Sequence, residues 1–246
     1  MVANRRTLTW LSWALVILGV ISAIVTFLFI LGYLRPPEQI DDLVERLQAF
    51  RGHDVTALPF IFIGGLATIG VFLILAMLGV VLRAWAGPSS LRDAMSLVFV
   101  IGGAVGVIGQ LVNLGVGEAA NPFYCQCDFI PEQVIGLDRA LSVGWAIATW
   151  IGLGALTLVG IGAGVTGRIV NVSPLWRSLS YAIAGLLLLA VALRVVAALV
   201  FIEAFDPFQI SDIVIAATSG ILVPIWAILL ARGVAEPDSQ ASNAAA

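Results

Sequence analysis

Long runs of apolar residues, separated by short polar or charged segments, recur along the whole chain. A helix that crosses a bilayer needs about 20 predominantly apolar residues. Six stretches reach that length, and they cover residues 8–34, 58–82, 94–116, 140–165, 178–201 and 211–231. The pattern predicts an all-α integral membrane protein, a six-helix transmembrane bundle that forms a single domain over residues 1–234.

Two further segments lie outside these spans. Residues 36–51 place apolar side chains on one helical face, which predicts a short amphipathic helix that ends at Gly52. We expect this helix to rest on the outer ends of the bundle, as a structural cap or as a gate. Residues 235–246 are small and polar and predict a disordered tail.

Arginine placement predicts the orientation of the bundle. Seven arginines and three acids fall in the loops on the side of the chain ends, against four arginines and twelve acids in the opposite loops. Since arginine-rich loops stay in the cytoplasm, we expect both termini and the polar tail there. Four tryptophans lie near the cytoplasmic ends of helices, as an interfacial belt would place them: Trp10, Trp13, Trp85 and Trp176.

A possible internal repeat supports a design of three helical hairpins. The hexapeptide "EAANPF" at 118–123 returns as "EAFDPF" at 203–208, an offset of 85 residues. In each unit one helix begins after an arginine and stops before a proline, which cannot continue the hydrogen-bond ladder. The three units run from Arg6 to Pro36, from Arg92 to Pro122 and from Arg177 to Pro207. Chance alignment of hairpins of equal length is the alternative.

Arg194 is the single charged residue in the apolar run 186–201. A central arginine costs about 2.5–3.5 kcal/mol in a membrane helix, so polar partners are expected. Polar side chains of two other spans lie at the same depth: Gln110, Asn113, Thr218 and Ser219. Together with Arg194 they predict an outward-facing pocket for a small anion or a lipid headgroup. Alternatively, Arg194 extends to the membrane surface without entering the bundle.

Acids at the mouth of this pocket are expected to complete it. The candidates are Glu118, Glu203 and Asp212.

Both cysteines, Cys125 and Cys127, fall in the predicted outer loop 121–133. Outside the cytoplasm thiols tend to oxidise, which favours a disulfide between them or to a partner chain. A metal site that adds Asp128 and His53 is chemically allowed but needs two separate loops to meet. A redox-active pair is the third interpretation, although known redox motifs space the two thiols by two residues.

The residue types that the chain lacks exclude several activities. There is no lysine, so neither a Schiff base nor a phosphate-binding GK[ST] loop can form. The single histidine, His53, cannot supply paired haem ligands or an HExxH zinc motif. A net charge of −3 argues against nucleic acid as a partner. We expect no cofactor and no resident metal, and a non-catalytic protein rather than an enzyme.

The segment "RAWAGPSSLRD" at 83–93 and the last hairpin resemble a family of uncharacterised bacterial six-helix membrane proteins. The hairpin reads "LWRSLSYAIAGLLLLAVALRVV" at 175–196 and "IVIAATSGILVPIWAILLARGV" at 213–234. The resemblance covers most of residues 8–234. It implies a multi-pass protein of the bacterial inner membrane, and it implies no activity and no site residues.

Three functional hypotheses follow from these patterns. The first is a non-catalytic membrane protein: a sensor, an accessory subunit of an unknown protein partner, or a binder of a small ligand or lipid at the outer face. The second is a small-solute or anion transporter. The third is a thiol-redox membrane protein that uses Cys125 and Cys127.

Overall fold

A computed structural model of the chain describes residues 2–31, 43–84, 86, 89–125, 131–170, 172–199 and 207–235. Its helices are α1 (Val2–Ile30), α2 (Leu43–Arg83), α3 (Ser90–Cys125), α4 (Pro131–Ile169), α5 (Pro174–Leu199), α6 (Pro207–Ala217) and α7 (Val223–Ala235). A π-helical turn, Thr218–Leu222, joins α6 to α7.

Six segments of the described chain are long and apolar enough to cross a membrane. They are Arg5–Leu28, Pro59–Arg83, Ser90–Glu118, Arg139–Ile169, Pro174–Leu199 and Ile210–Gly233. Each predicted span overlaps one of them, and the predicted all-α, six-helix fold is confirmed. The sixth segment combines α6, the π-turn and α7, and we call it span six.

The six spans form a closed ring. Each packs against the next one in the chain, and span six returns to pack against α1. Because the number of spans is even, the beginning of α1 and the end of α7 lie at the same face of the bundle, which we call the terminal face. The other end is the opposite face.

The buried apolar core lies mainly in the half of the bundle nearer the terminal face. It includes Leu8 and Leu15 from the first half of α1, and Leu78 and Leu82 from the last two turns of α2. Its largest fully buried side chains also include Phe99 of α3 and Trp176 of α5. The terminal half is therefore held together by apolar packing.

Phe99 shows how glycines bring the helices together. A methyl group added to Gly79 of α2 would lie 2.5 Å from the Cβ atom of Phe99, and one added to Gly162 of α4 would lie 3.1 Å from its ring. Close approach of membrane helices is commonly achieved by small residues of this kind. The two glycines allow the Phe99 side chain to fill the space between α2 and α4.

The predicted short outer helix is not a separate element. Residues 43–51 are helical, but α2 continues through Gly52 and Pro59 into the second span. A proline removes one hydrogen bond of the ladder, and membrane helices tolerate that loss. Residues 36–42 lie outside the described residues.

One of the predicted helix ends is also corrected. Helix α3 does not stop before Pro122 but runs on to Cys125, whereas α5 ends at Leu199, before Pro207, and Pro207 is the first residue of α6. Proline is favoured in the first turn of a helix because the missing N–H would be unpaired there anyway. Pro36 and the tail 236–246 lie outside the described residues, and the threefold repeat stays a prediction.

The predicted tryptophan belt is wrong for Trp176, and Trp85 lies outside the described residues. Trp10 is 76% exposed and Trp13 is 50% exposed, as expected for side chains that meet lipid. Trp176 is completely buried, and it belongs to the core instead of the surface.

Candidate functional site

Arg194 forms an ion pair with Asp212 of α6. Its Nη2 atom donates a hydrogen bond to Oδ1 of Asp212, at 2.5 Å. The side chain of Arg194 is 17% exposed and that of Asp212 is 29% exposed. Arg194 lies five residues before Leu199, the end of α5, which is about 7.5 Å along the helix. The guanidinium is therefore held between α5 and α6 near the opposite face.

A second hydrogen bond joins the same two helices beside the ion pair. The hydroxyl of Ser211 donates to the backbone carbonyl of Ala190, at 2.9 Å, and the Ser211 side chain is fully buried. Ala190 lies one helical turn before Arg194, and Ser211 directly precedes Asp212. We call these four residues the distal contact. It fixes α6 to α5 through both charged and neutral groups.

Two tryptophans form another polar connection, nearer the terminal face. The indole N–H of Trp176 donates to the carbonyl of Trp226 at 3.2 Å, and the indole N–H of Trp226 donates to the hydroxyl of Ser180 at 2.8 Å. Ser180 in turn donates to the carbonyl of Trp176 at 2.9 Å. The two indoles stack with their centroids 5.3 Å apart. This tryptophan clamp fixes α7 to α5.

The π-turn lies between the two connections. The N–H of Val223 donates to the carbonyl of Thr218, five residues back, where a regular helix would use a residue four back. Pro224 follows at once and has no N–H, so the ladder is interrupted there. Gly19 of α1 packs on this turn: a methyl group added to it would lie 3.3 Å from the Ser219 carbonyl oxygen.

An apolar groove of about 230 Å³ runs along α5 and span six between the distal contact and the tryptophan clamp. Its lining, which defines the α5–α6 groove, consists of Leu186, Ile213, Val214, Ala217, Thr218, Ile221 and Leu222. Ile213 is 42% exposed and Ile221 is 52% exposed, so the groove is open at the surface of the bundle. All seven residues lie within membrane-spanning segments. A hydrocarbon chain therefore suits the groove.

Thr218 is the one residue of the groove lining with a side-chain hydroxyl. It is fully buried, and its Oγ1 has no hydrogen-bond partner among the residues that the structure describes. Five other threonines donate to the carbonyl four residues earlier: Thr9, Thr26, Thr68, Thr157 and Thr166. Thr218 therefore departs from a pattern that recurs in the same protein.

The predicted pocket is only partly assembled. Arg194 meets Asp212, one of the acids expected at its mouth, while Gln110 and Asn113 lie on α3. In the described chain α3 packs on α2 and α4 and makes no contact with α5 or span six. Ser219 lies in the π-turn, where its hydroxyl donates to the carbonyl of Ile215 at 2.8 Å. Ligand binding by these residues stays a prediction.

The cysteine predictions fall outside the part of the chain whose side chains are described. Cys125 is the last residue of α3 and His53 lies within α2, but the structure describes only the backbone at these two positions. Cys127 and Asp128 lie in the undescribed segment 126–130. Among the described residues, no group of three or more histidine, cysteine or acidic side chains could hold a metal ion.

Sequence reasoning missed the tryptophan clamp and the π-turn. Trp176 and Ser180 lie four residues apart on one helical face, a spacing that could have suggested a shared buried partner. Pro224 within an apolar span could have indicated an interrupted ladder.

Comparison of the chain with protein-family models, curated proteins and solved structures finds no match.

The ion pair predicts strong coupling between Arg194 and Asp212. We expect Arg194→Leu or Asp212→Leu alone to lower the free energy of unfolding in detergent by roughly 1–3 kcal/mol, because each leaves a charge without this partner. The double variant should cost less than the sum of the two single variants, since it removes both charges. Additive losses in this double-mutant cycle would contradict a direct interaction.

The tryptophan clamp makes a separate prediction about stability. Ser180→Ala removes an acceptor and a donor from a buried network, so the unfolding free energy in detergent should fall by about 1–3 kcal/mol. Ser178→Ala is the matched control, because Ser178 lies on the same helix and is exposed. Its effect should stay within about 0.5 kcal/mol. Equal effects of the two substitutions would show that the clamp contributes nothing specific.

Proposed function

We propose that this chain is a non-catalytic membrane protein that binds a lipid or a small amphiphile along α5 and span six. The observation that carries the proposal is that a charged surface and an apolar surface lie next to each other on α5 and span six. The Arg194–Asp212 ion pair lies near the opposite face, and the α5–α6 groove begins at the next residue, Ile213. One molecule with a polar end and an apolar body would contact both.

The ion pair supplies the polar end of this site. Both side chains keep part of their surface exposed, 17% for Arg194 and 29% for Asp212. A guanidinium recognises phosphate or carboxylate groups through its several N–H donors, and a carboxylate accepts from ammonium groups. A lipid headgroup or a small anion therefore has a charged contact at this level of the membrane.

The groove supplies the apolar end. It is held at both ends by polar connections between α5 and span six, the distal contact and the tryptophan clamp. Helices that are fixed above and below a gap cannot close it by sliding together, so the groove stays available to a chain from the bilayer. Packing contacts along such a chain are individually small and add up over its length.

The orientation that we propose puts this site at the outer side of the bacterial inner membrane. Support comes from the seven arginines on the side of the termini and the excess of acids on the other. With the termini in the cytoplasm, the opposite face and its ion pair meet the outer leaflet. A signal from bound lipid would pass to a partner protein through the bundle.

A small-solute or anion transporter is the second candidate. The π-turn interrupts span six near its middle, and transporters place discontinuous helices at their substrate sites. Transport also needs a route to both faces. The terminal half of this bundle is filled by large apolar side chains such as Phe99, Leu78 and Trp176, and this packing favours the binding protein over the transporter.

Filling the groove should weaken lipid binding. We expect purified, delipidated protein to bind phosphatidylethanolamine saturably in a native mass spectrometry titration. Ala217→Phe places a ring in the groove and should weaken binding roughly tenfold, which corresponds to about 1.4 kcal/mol of lost packing.

Ala146→Phe is the control for this experiment, because Ala146 is exposed on α4, away from the groove. Its affinity for the lipid should equal that of the unsubstituted protein. If Ala217→Phe binds the lipid as tightly as Ala146→Phe does, the groove is not the binding site.

A further inference from the structure

We infer that the α5–α6 groove selects an amphiphile whose apolar body carries a hydrogen-bonding oxygen, and that the Thr218 hydroxyl recognises this oxygen. This inference rests on the proposed function and deepens it. The groove alone would accept any hydrocarbon chain. The buried hydroxyl of Thr218 has no hydrogen-bond partner among the described residues, and by turning toward the groove it would distinguish one class of chain from another.

This inference rests on the buried Thr218 hydroxyl, which has no hydrogen-bond partner among the described residues. A buried hydroxyl without a partner is unfavourable, and membrane helices normally avoid it by bonding the carbonyl four residues back. Thr166 does so at 2.6 Å with equal burial, whereas Thr218 does not. Thr218 is one of the residues that line the groove, and its hydroxyl is buried in the structure, so a rotation about its Cα–Cβ bond is needed to present the hydroxyl to a molecule bound there.

The position of Thr218 sets where the oxygen must lie. Thr218 follows Asp212 by six residues, which corresponds to a depth of about 9 Å below the ion pair. Leu222 and Ile221 continue the apolar lining beyond it. The matching ligand therefore has a charged end, an oxygen part of the way along its body, and hydrocarbon on either side of that oxygen.

Two matched lipids test this chemistry directly. Stearoyl lysophosphatidylethanolamine and its oxostearoyl analogues share one headgroup and one chain length, and the analogues add a keto group at successive chain positions. We expect the full-length protein in detergent to bind one analogue about fivefold more tightly than the plain lipid, the effect of one additional hydrogen bond of about 1 kcal/mol. The preference should peak at one chain position because the hydroxyl lies at a fixed depth.

Three variants identify the group that is responsible. Thr218→Val keeps the shape and removes the hydroxyl, so it should fold normally and bind all the lipids equally. Thr218→Ser keeps the hydroxyl and should keep the preference. Thr166→Val removes a buried threonine hydroxyl elsewhere in the bundle and should also keep the preference.

The outcomes separate this inference from the proposed function. Equal binding of all the lipids by the unsubstituted protein, or a preference that survives in Thr218→Val, overturns the role of Thr218 and leaves lipid binding in place. If the unsubstituted protein binds none of the lipids, the proposed function fails and this inference fails with it.

Discussion

The need to accommodate one guanidinium in an apolar helix determines how α5 and span six are arranged. Arg194 is within about 7.5 Å of the end of α5, still inside the span, and its charge is offset by Asp212 on the neighbouring helix. The pair fixes the rotation of both helices, since each charged side chain must point at the other. This rotation also places the Ser211 hydroxyl beside the carbonyl of Ala190, to which it donates a hydrogen bond.

Span six consists of two halves that are each fastened to α5 in a different way. The half near the opposite face uses an ion pair and a serine, and the half near the terminal face uses two stacked indoles and Ser180. Between them the π-turn and Pro224 interrupt the regular pattern of backbone hydrogen bonds in span six. The groove lies between these two connections, while the buried apolar core of the described residues is concentrated in the terminal half. The site that we propose for an amphiphile therefore lies outside that core.

Much of this fold follows from the sequence, because the length of an apolar run is set by the thickness of the bilayer. Depth along a helix is also predictable, which is why Asp212 could be named among possible partners of Arg194. Depth does not reveal which helices are neighbours: Gln110 and Asn113 lie on α3, which the ring separates from α5 by α4. Pro122 and Gly52 were expected to end helices, but a membrane helix can lose the one N–H that proline lacks, and glycine keeps its N–H, so both helices continue. Burial of Trp176 depends on Trp226, fifty residues away, and no local pattern reports such a contact.

The central claim is that the polar face of α5 packs against α6 and not against α3. Oxidative cross-linking in membranes tests it most directly, with Cys125 and Cys127 first replaced by serine. The structure predicts rapid disulfide formation between Ala190→Cys and Ser211→Cys, whose parent residues share a hydrogen bond of 2.9 Å, and none between Ala190→Cys and Asn113→Cys. Cross-linking of the second pair, with none of the first, would contradict the arrangement of α5 and span six and the groove that depends on it.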